Sequence, residues 1–175
     1  MPVEVSIDSV KVSLLSNHRV VVLKEMRGER CLPIWIGPFE ADAIATKLQG
    51  VRGLRPLTHD LLKASIESLG GTITQVVIND LTDDTFYARL VLEQDGHSLE
   101  VDCRPSDALA LAVRVGVAVY VEEAVMEKAS ILPCSPEAPT PTGGVDEDKL
   151  SIFRDFVDSL DLDDLGEGGE KEKGN

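Results

Sequence analysis

Long hydrophobic runs are missing from this sequence. No stretch approaches the roughly 18 apolar residues that a membrane-crossing helix needs, and the opening M-P-V-E-V-S-I-D has neither a basic leader nor an apolar core. A cytoplasmic protein, neither exported nor membrane-bound, is the expectation. Cysteine is sparse: Cys31, Cys103 and Cys134 stand far apart with no C-x-x-C pair, which fits a reduced chain better than a disulfide framework or a zinc site. Aromatic residues make up 4% of the chain, so any core must be built from Val, Leu, Ile and Ala. Positive charge is short as well. The formal net charge is −14, and nothing resembles the basic footprint that dominates nucleic-acid affinity. That counts against a protein that simply coats DNA, but not against an enzyme working through a metal or a local arginine cluster. No G-x-S-x-G, glycine-rich phosphate loop, H-E-x-x-H or zinc cluster occurs either.

Hydrophobic residues are nonetheless 43% of the chain, enough for a real core. The pattern divides it into one domain over 1–132, a Pro/Thr/Gly linker over 133–145 and an acidic tail over 146–175. Residues 1–132 carry 13 Lys and Arg against 19 Asp and Glu, a net of −6; residues 133–175 carry 4 against 12, a net of −8. Within the tail, Leu150, Phe153, Val157 and Leu160 mark a short amphipathic helix over 146–160, and the end reads as disordered.

Val3, Val5 and Ile7 alternate with polar residues, the period of a half-buried strand, and the pattern runs to about Leu15. Ser16-Asn17-His18 turns it into Val20–Leu23, and Arg27-Gly28-Glu29 turns again into Cys31–Ile36. Gly37-Pro38 then opens a helix to Leu48, with Ala41, Ile44 and Leu48 on one face. A second helix runs from an N-cap at Thr58 to Leu69, its stripe Leu62, Ile66 and Leu69. A second meander follows: Ile73–Leu81, then a hairpin of Thr85–Glu93 and His97–Arg104 around Asp95-Gly96. A two-residue loop there sets Leu92 opposite Leu99, Leu90 opposite Val101 and Ala88 opposite Cys103. It also sets Arg89 opposite Asp102 and Tyr87 opposite Arg104. A last strand over Val117–Glu122 and a short helix to about Lys128 complete the domain.

The two meanders end alike. G-P-F-E-A-D-A-I-A (37–45) aligns with R-P-S-D-A-L-A-L-A (104–112), so Pro38 falls on Pro105 and Glu40 on Asp107. The fold class expected is α+β, a duplicated strand-strand-strand-helix unit with a mainly antiparallel sheet and packed helices. Four groups could carry chemistry, and each has a plain structural alternative. Glu40 and Asp107 could form a site or simply favour their helix N-termini. His59-Asp60 could be a base with its carboxylate or a first-turn pair. Asp80, Asp83 and Asp84 could bind a cation or make an acidic turn. Asp102 and Arg104 could belong to a site, or Asp102 could satisfy Arg89 across the ladder while Arg104 stacks on Tyr87.

Four segments, L-P-I-W-I-G-P-F-E-A (32–41), R-P-L-T-H-D-L-L (55–62), D-D-T-F-Y-A-R-L (83–90) and D-C-R-P-S-D-A-L-A-L-A (102–112), resemble the bifunctional nuclease domain family of bacteria and plants. The resemblance covers about residues 3–130. It implies nuclease activity on DNA and RNA, an α+β domain that self-associates, and a nucleic-acid substrate. The motif positions then imply Glu40, Asp102 and Asp107 as ligands of Mg²⁺ or Mn²⁺, and His59, with Asp60, as base or leaving-group acid. Arg104 becomes the phosphate clamp, with Arg55 as helper. Some family members carry a C-terminal motif resembling an interaction segment of excision-repair proteins, so the 146–160 helix becomes a candidate contact for a protein partner. A homodimer is expected, because the apolar strands outrun what one small chain covers. The competing reading is a non-catalytic binding or regulatory module in which these carboxylates and arginines pair internally; the net −6 of the domain favours it.

Overall fold

A computed structural model of the protein describes residues 1–12, 18–51 and 53–132. The expected Ser16-Asn17 turn, the linker over 133–145 and the helix over 146–160 lie outside the described residues. Chain order is β1 (Pro2–Val12), β2 (Arg19–Glu25), β3 (Cys31–Ile36), α1 (Pro38–Leu48), α2 (Thr58–Ser68), β4 (Thr72–Thr82), β5 (Thr85–Gln94), β6 (His97–Cys103), α3 (Pro105–Val115), β7 (Ala118–Glu122) and α4 (Glu123–Ala129). All seven strands form one sheet in the order β3-β2-β1-β7-β4-β5-β6. The fold is α+β, and the duplication is visible in the topology. Each half is an antiparallel meander followed by an 11-residue helix that starts with proline. Strand β7 joins the halves, antiparallel to β1 and parallel to β4.

Alternation explains the strands and small residues explain the helices. Val21 and Leu23 of β2 enter the main core, while Val20 and Val22 point the other way into a small cluster with Cys31 and Ile131. Helix α3 is buried on nearly all sides, from Pro105 and Ser106 through Ala108–Ala112 to Arg114. Its run of alanines lets α1 and α2 approach closely while Leu109 and Leu111 fill the space above β4 and β5. Aligned positions share environments: Ala41 and Ala108 are buried, as are Ile44 and Leu111.

Several expectations need correction. Leu48 is 53% exposed, so the buried face of α1 is Ala41 and Ile44 alone. Thr58 is the first residue of α2 rather than its cap; the Leu57 backbone N–H donates to Asp60 Oδ2 at 2.9 Å instead. In α2 only His59 is fully buried, while Leu62 and Leu69 stay largely in water. The hairpin register is as the two-residue loop requires, including Arg89 opposite Asp102. The ion pair runs diagonally instead, Arg89 Nη1 to Glu100 Oε2 at 2.8 Å. Pairing stops at Ala88–Cys103, so Arg104 turns away from Tyr87. Asp83 and Asp84 form a second tight turn, both with positive φ (49° and 58°), where glycine or asparagine is the usual solution.

Cysteine also departs from expectation. Cys103 is free, but Cys31 is disulfide-bonded. After α4 the chain returns beside β3, where Cys31 and Ile131 exchange two backbone hydrogen bonds at 3.0 and 2.8 Å. Among the described residues no helix is long and apolar enough to cross a membrane.

Candidate active site at the paired helix starts

Because α1 and α3 begin at the ends of equivalent meanders and pack on each other, their first turns lie side by side. The duplication is broken at one position. The residue before the helix-starting proline is Gly37 in the first half and Arg104 in the second. A Cβ at Gly37 would sit 2.3 Å from Glu40 Oε2, so glycine leaves room for that carboxylate to fold back over its own helix start. Arg104 uses the corresponding position to reach both halves. Its Nε donates to Asp107 Oδ2 at 2.8 Å and its Nη2 to Glu40 Oε1 at 3.0 Å. The two carboxylates hold its guanidinium still more firmly protonated than usual, the Asp107 hydrogen bond first. The other oxygen of Asp107 faces His59, Oδ1 lying 3.1 Å from Nε2. A carboxylate only accepts, so Nε2 donates to it, and in the neutral tautomer that leaves the ring's lone pair on Nδ1.

These four side chains line one cleft of about 400 Å³, with Phe39, Leu57 and Leu62 on its walls. Accessibility grades from inside out: the side chains of His59, Glu40 and Asp107 are 10%, 15% and 28% exposed, and Arg104 is 69% exposed. The outermost group is the cation. Glu40, His59, Arg104 and Asp107 are thus brought together.

Asp60, Arg55 and Asp102 are not. Asp60 faces away from the cleft, taking the Leu57 N–H and the Arg114 Nε at 2.8 Å, and these contacts hold its carboxyl below the usual range, the backbone bond foremost. Arg55 is exposed and lines a different hollow beside Asp60 and Arg114. Asp102 is exposed on β6, and among the described residues its carboxylate makes no hydrogen bond or ion pair. Cys103, next to Arg104, is a poor nucleophile: burial pushes its thiol up to about 11.

Glu40, Asp102 and Asp107 as arranged do not fit a divalent cation. Two of them face Arg104, whose guanidinium takes the place a metal would occupy, and the third lies apart. Among the described residues no three His, Cys, Asp or Glu side chains could hold a metal ion.

Arg114 was not singled out in the sequence. Its side chain, 3% exposed, donates to Asp60, to Ala110 O at 2.8 Å and to Ala43 O at 3.2 Å, fastening α3 to both α1 and the start of α2. That fixes Asp60 and so positions its neighbour His59. The only sequence signal was a basic residue in a last helical turn, which the helix dipole also explains.

The sequence pattern described as the bifunctional nuclease domain matches residues 21–133. An uncharacterized protein of Mycobacterium tuberculosis is 44% identical over 162 residues, covering 93% of this chain and 97% of that protein. Bifunctional nuclease 1 of Oryza sativa is 27% identical over 112 residues, 62% of this chain and 34% of its own length. Bifunctional nuclease 2 of Arabidopsis thaliana is 26% identical over 110 residues, 61% and 33% respectively.

Proposed function

The chain belongs to the bifunctional nuclease domain family, and from that premise we propose that it hydrolyses phosphodiester bonds in DNA and RNA at the Glu40–His59–Arg104–Asp107 cleft. The observation that carries the reading is the Asp107 carboxylate, which holds His59 with one oxygen and Arg104 with the other. One group thereby orients a base and a phosphate-binding cation together. Arg104, the most exposed of the four, receives the non-bridging oxygens of a phosphodiester in its planar fork. Glu40 and Asp107 hold that fork, which supplies positive charge as the phosphorane forms. His59 accepts the proton of the attacking water. As the new P–O bond forms, the bond to the sugar oxygen breaks, and the departing oxygen takes a proton from the imidazolium. Asp107 steadies the imidazolium in between.

The test is cleavage of labelled DNA and RNA by the full chain. His59→Ala and Arg104→Ala should each lose about 10²–10⁴ in rate, the usual worth of a positioned acid–base group or transition-state cation, with little change in melting temperature for the exposed Arg104. Unchanged rates in both would overturn the assignment. Arg104 is exposed enough to turn outward onto substrate, so an EDTA arm asks whether Mg²⁺ or Mn²⁺ then assists. The second reading, a binding or regulatory module, draws on the pairing of Arg104 with Glu40 and Asp107 and on the acidic domain. Oligonucleotide binding with no cleavage under any metal condition would establish it. On either reading, self-association as a homodimer is part of the proposal, and the exposed apolar side chains flanking α2, Val51 and Leu54 before it and Leu69 after it, support it.

A further inference from the structure

The acidic domain and the apolar cleft walls narrow the substrate when taken together. Proteins that grip duplexes do so mainly through Lys and Arg on phosphates. Here residues 1–132 have a net charge of −6, and the cleft offers one guanidinium against three carboxylates, Glu40, Asp42 and Asp107. Phosphate contacts therefore contribute little affinity. What the cleft does offer is apolar surface. Phe39, the second residue of α1, is 83% exposed, and Leu57 and Leu62 are 44% and 43% exposed. All three line the cleft that holds His59 and Arg104. Folding does not account for that ring, because α1 buries Ala41 and Ile44 instead. Base faces inside a duplex are stacked on one another and closed to an outside ring, whereas those of a single strand are open. Stacking of a base on an aromatic side chain tolerates any sequence.

We propose that the cleft takes single-stranded nucleic acid, with one unpaired base lying on Phe39 and the adjoining phosphate against Arg104. The inference rests on the nuclease reading for its class of ligand and adds strandedness and the residue that selects it. Because only one or two phosphates are neutralised, binding depends weakly on salt. The slope of log affinity against log salt is about −0.7 to −1.4, far shallower than for a basic groove.

The test is equilibrium binding by fluorescence anisotropy. The probes are a labelled oligothymidylate and a blunt duplex of the same length, applied to the full chain and to Phe39→Ala and Phe39→Trp. The single strand should bind more tightly than the duplex, with the shallow salt slope. Phe39→Ala should weaken single-strand binding about 5- to 150-fold, the loss of one base–aromatic stack, at unchanged melting temperature, while Phe39→Trp retains it. Equal or tighter duplex binding, or wild-type binding by Phe39→Ala, overturns the inference. So does a Phe39→Ala protein that binds normally but self-associates less, since Phe39 is then a contact between copies. Cleavage is scored separately on the same oligonucleotides. Selective binding without cleavage supports this inference while removing the nuclease reading; cleavage of both forms regardless of Phe39 does the reverse.

Discussion

Replacing Asp60 by alanine tests whether the His59 side of the cleft is held from behind. The carboxylate makes two contacts, the Leu57 N–H at 2.9 Å and the Arg114 guanidinium at 2.8 Å. Losing the first removes a helix cap, about 1 kcal/mol. The second is a charge-assisted bond, but Asp60 is 42% exposed and water screens it, so about 1 kcal/mol is a fair share. Arg114 keeps the Ala43 and Ala110 carbonyls, which keeps the cost below the 3–5 kcal/mol of breaking a fully buried pair. A total of about 2 kcal/mol corresponds to about 8 °C in melting temperature for a domain of this size. The difference should also depend on pH. The carboxyl of Asp60 is held below its ordinary 3.8 in the folded state, so its contribution is full above that value and fades as pH falls through the lowered one. Calorimetric melts of both proteins should therefore differ by about 8 °C near neutral pH and draw together as acid protonates Asp60 in the folded state. An Asp60→Ala, Arg114→Met double mutant should show a coupling of about 1 kcal/mol. A drop smaller than about 2 °C, or one that persists unchanged in acid, would refute the reasoning.

Three further outcomes follow from the same geometry. Gly37→Ala puts a Cβ where the Glu40 carboxylate lies; that side chain can move, so stability should change by less than about 1 kcal/mol while cleavage slows as the Glu40–Arg104 pair opens. Arg104→Ala leaves Glu40 and Asp107 without their resident cation, so Mn²⁺ should raise the melting temperature of this variant and leave the wild type unmoved; an equal shift in both would contradict the view that Arg104 fills the metal's place. Val51, Leu54 and Leu69, 57%, 104% and 75% exposed, should lie in a self-association surface. Sedimentation velocity should then show a dimer that Leu54→Asp converts to monomer, and a monomeric wild type would rule it out.

Local rules read the strands and their register well, since alternation and the Asp95-Gly96 turn fix both without reference to the rest of the chain. The duplicated Pro-initiated helices were also legible, and with them the alignment of Glu40 with Asp107; that Arg104 would bridge the two carboxylates was not. What local rules do not carry is which oxygen meets which donor. Arg89 could reach Asp102 or Glu100 on the same strand, and a long side chain takes the diagonal. His59 and Asp60 are chain neighbours, yet a helix start points them to opposite sides, one into the cleft and one onto Arg114. Arg114 itself had no pattern to betray it, because its three acceptors come from three different helices' worth of sequence.

The place of β7 bears on how the protein is made. Among the described residues it is the last strand to be synthesised, and it sits at the centre of the sheet, with β1 on one side and β4 on the other. The two meanders can form as each leaves the ribosome, because their contacts are local. They have no strand-to-strand contact with each other until residues 118–122 emerge more than a hundred residues behind β1. Until then β1 and β4 present bare edges, the state in which chains on neighbouring ribosomes pair wrongly. A synonymous pause while residues 118–122 are still inside the ribosome should therefore raise aggregation of the nascent chain, whereas one after they have emerged should not.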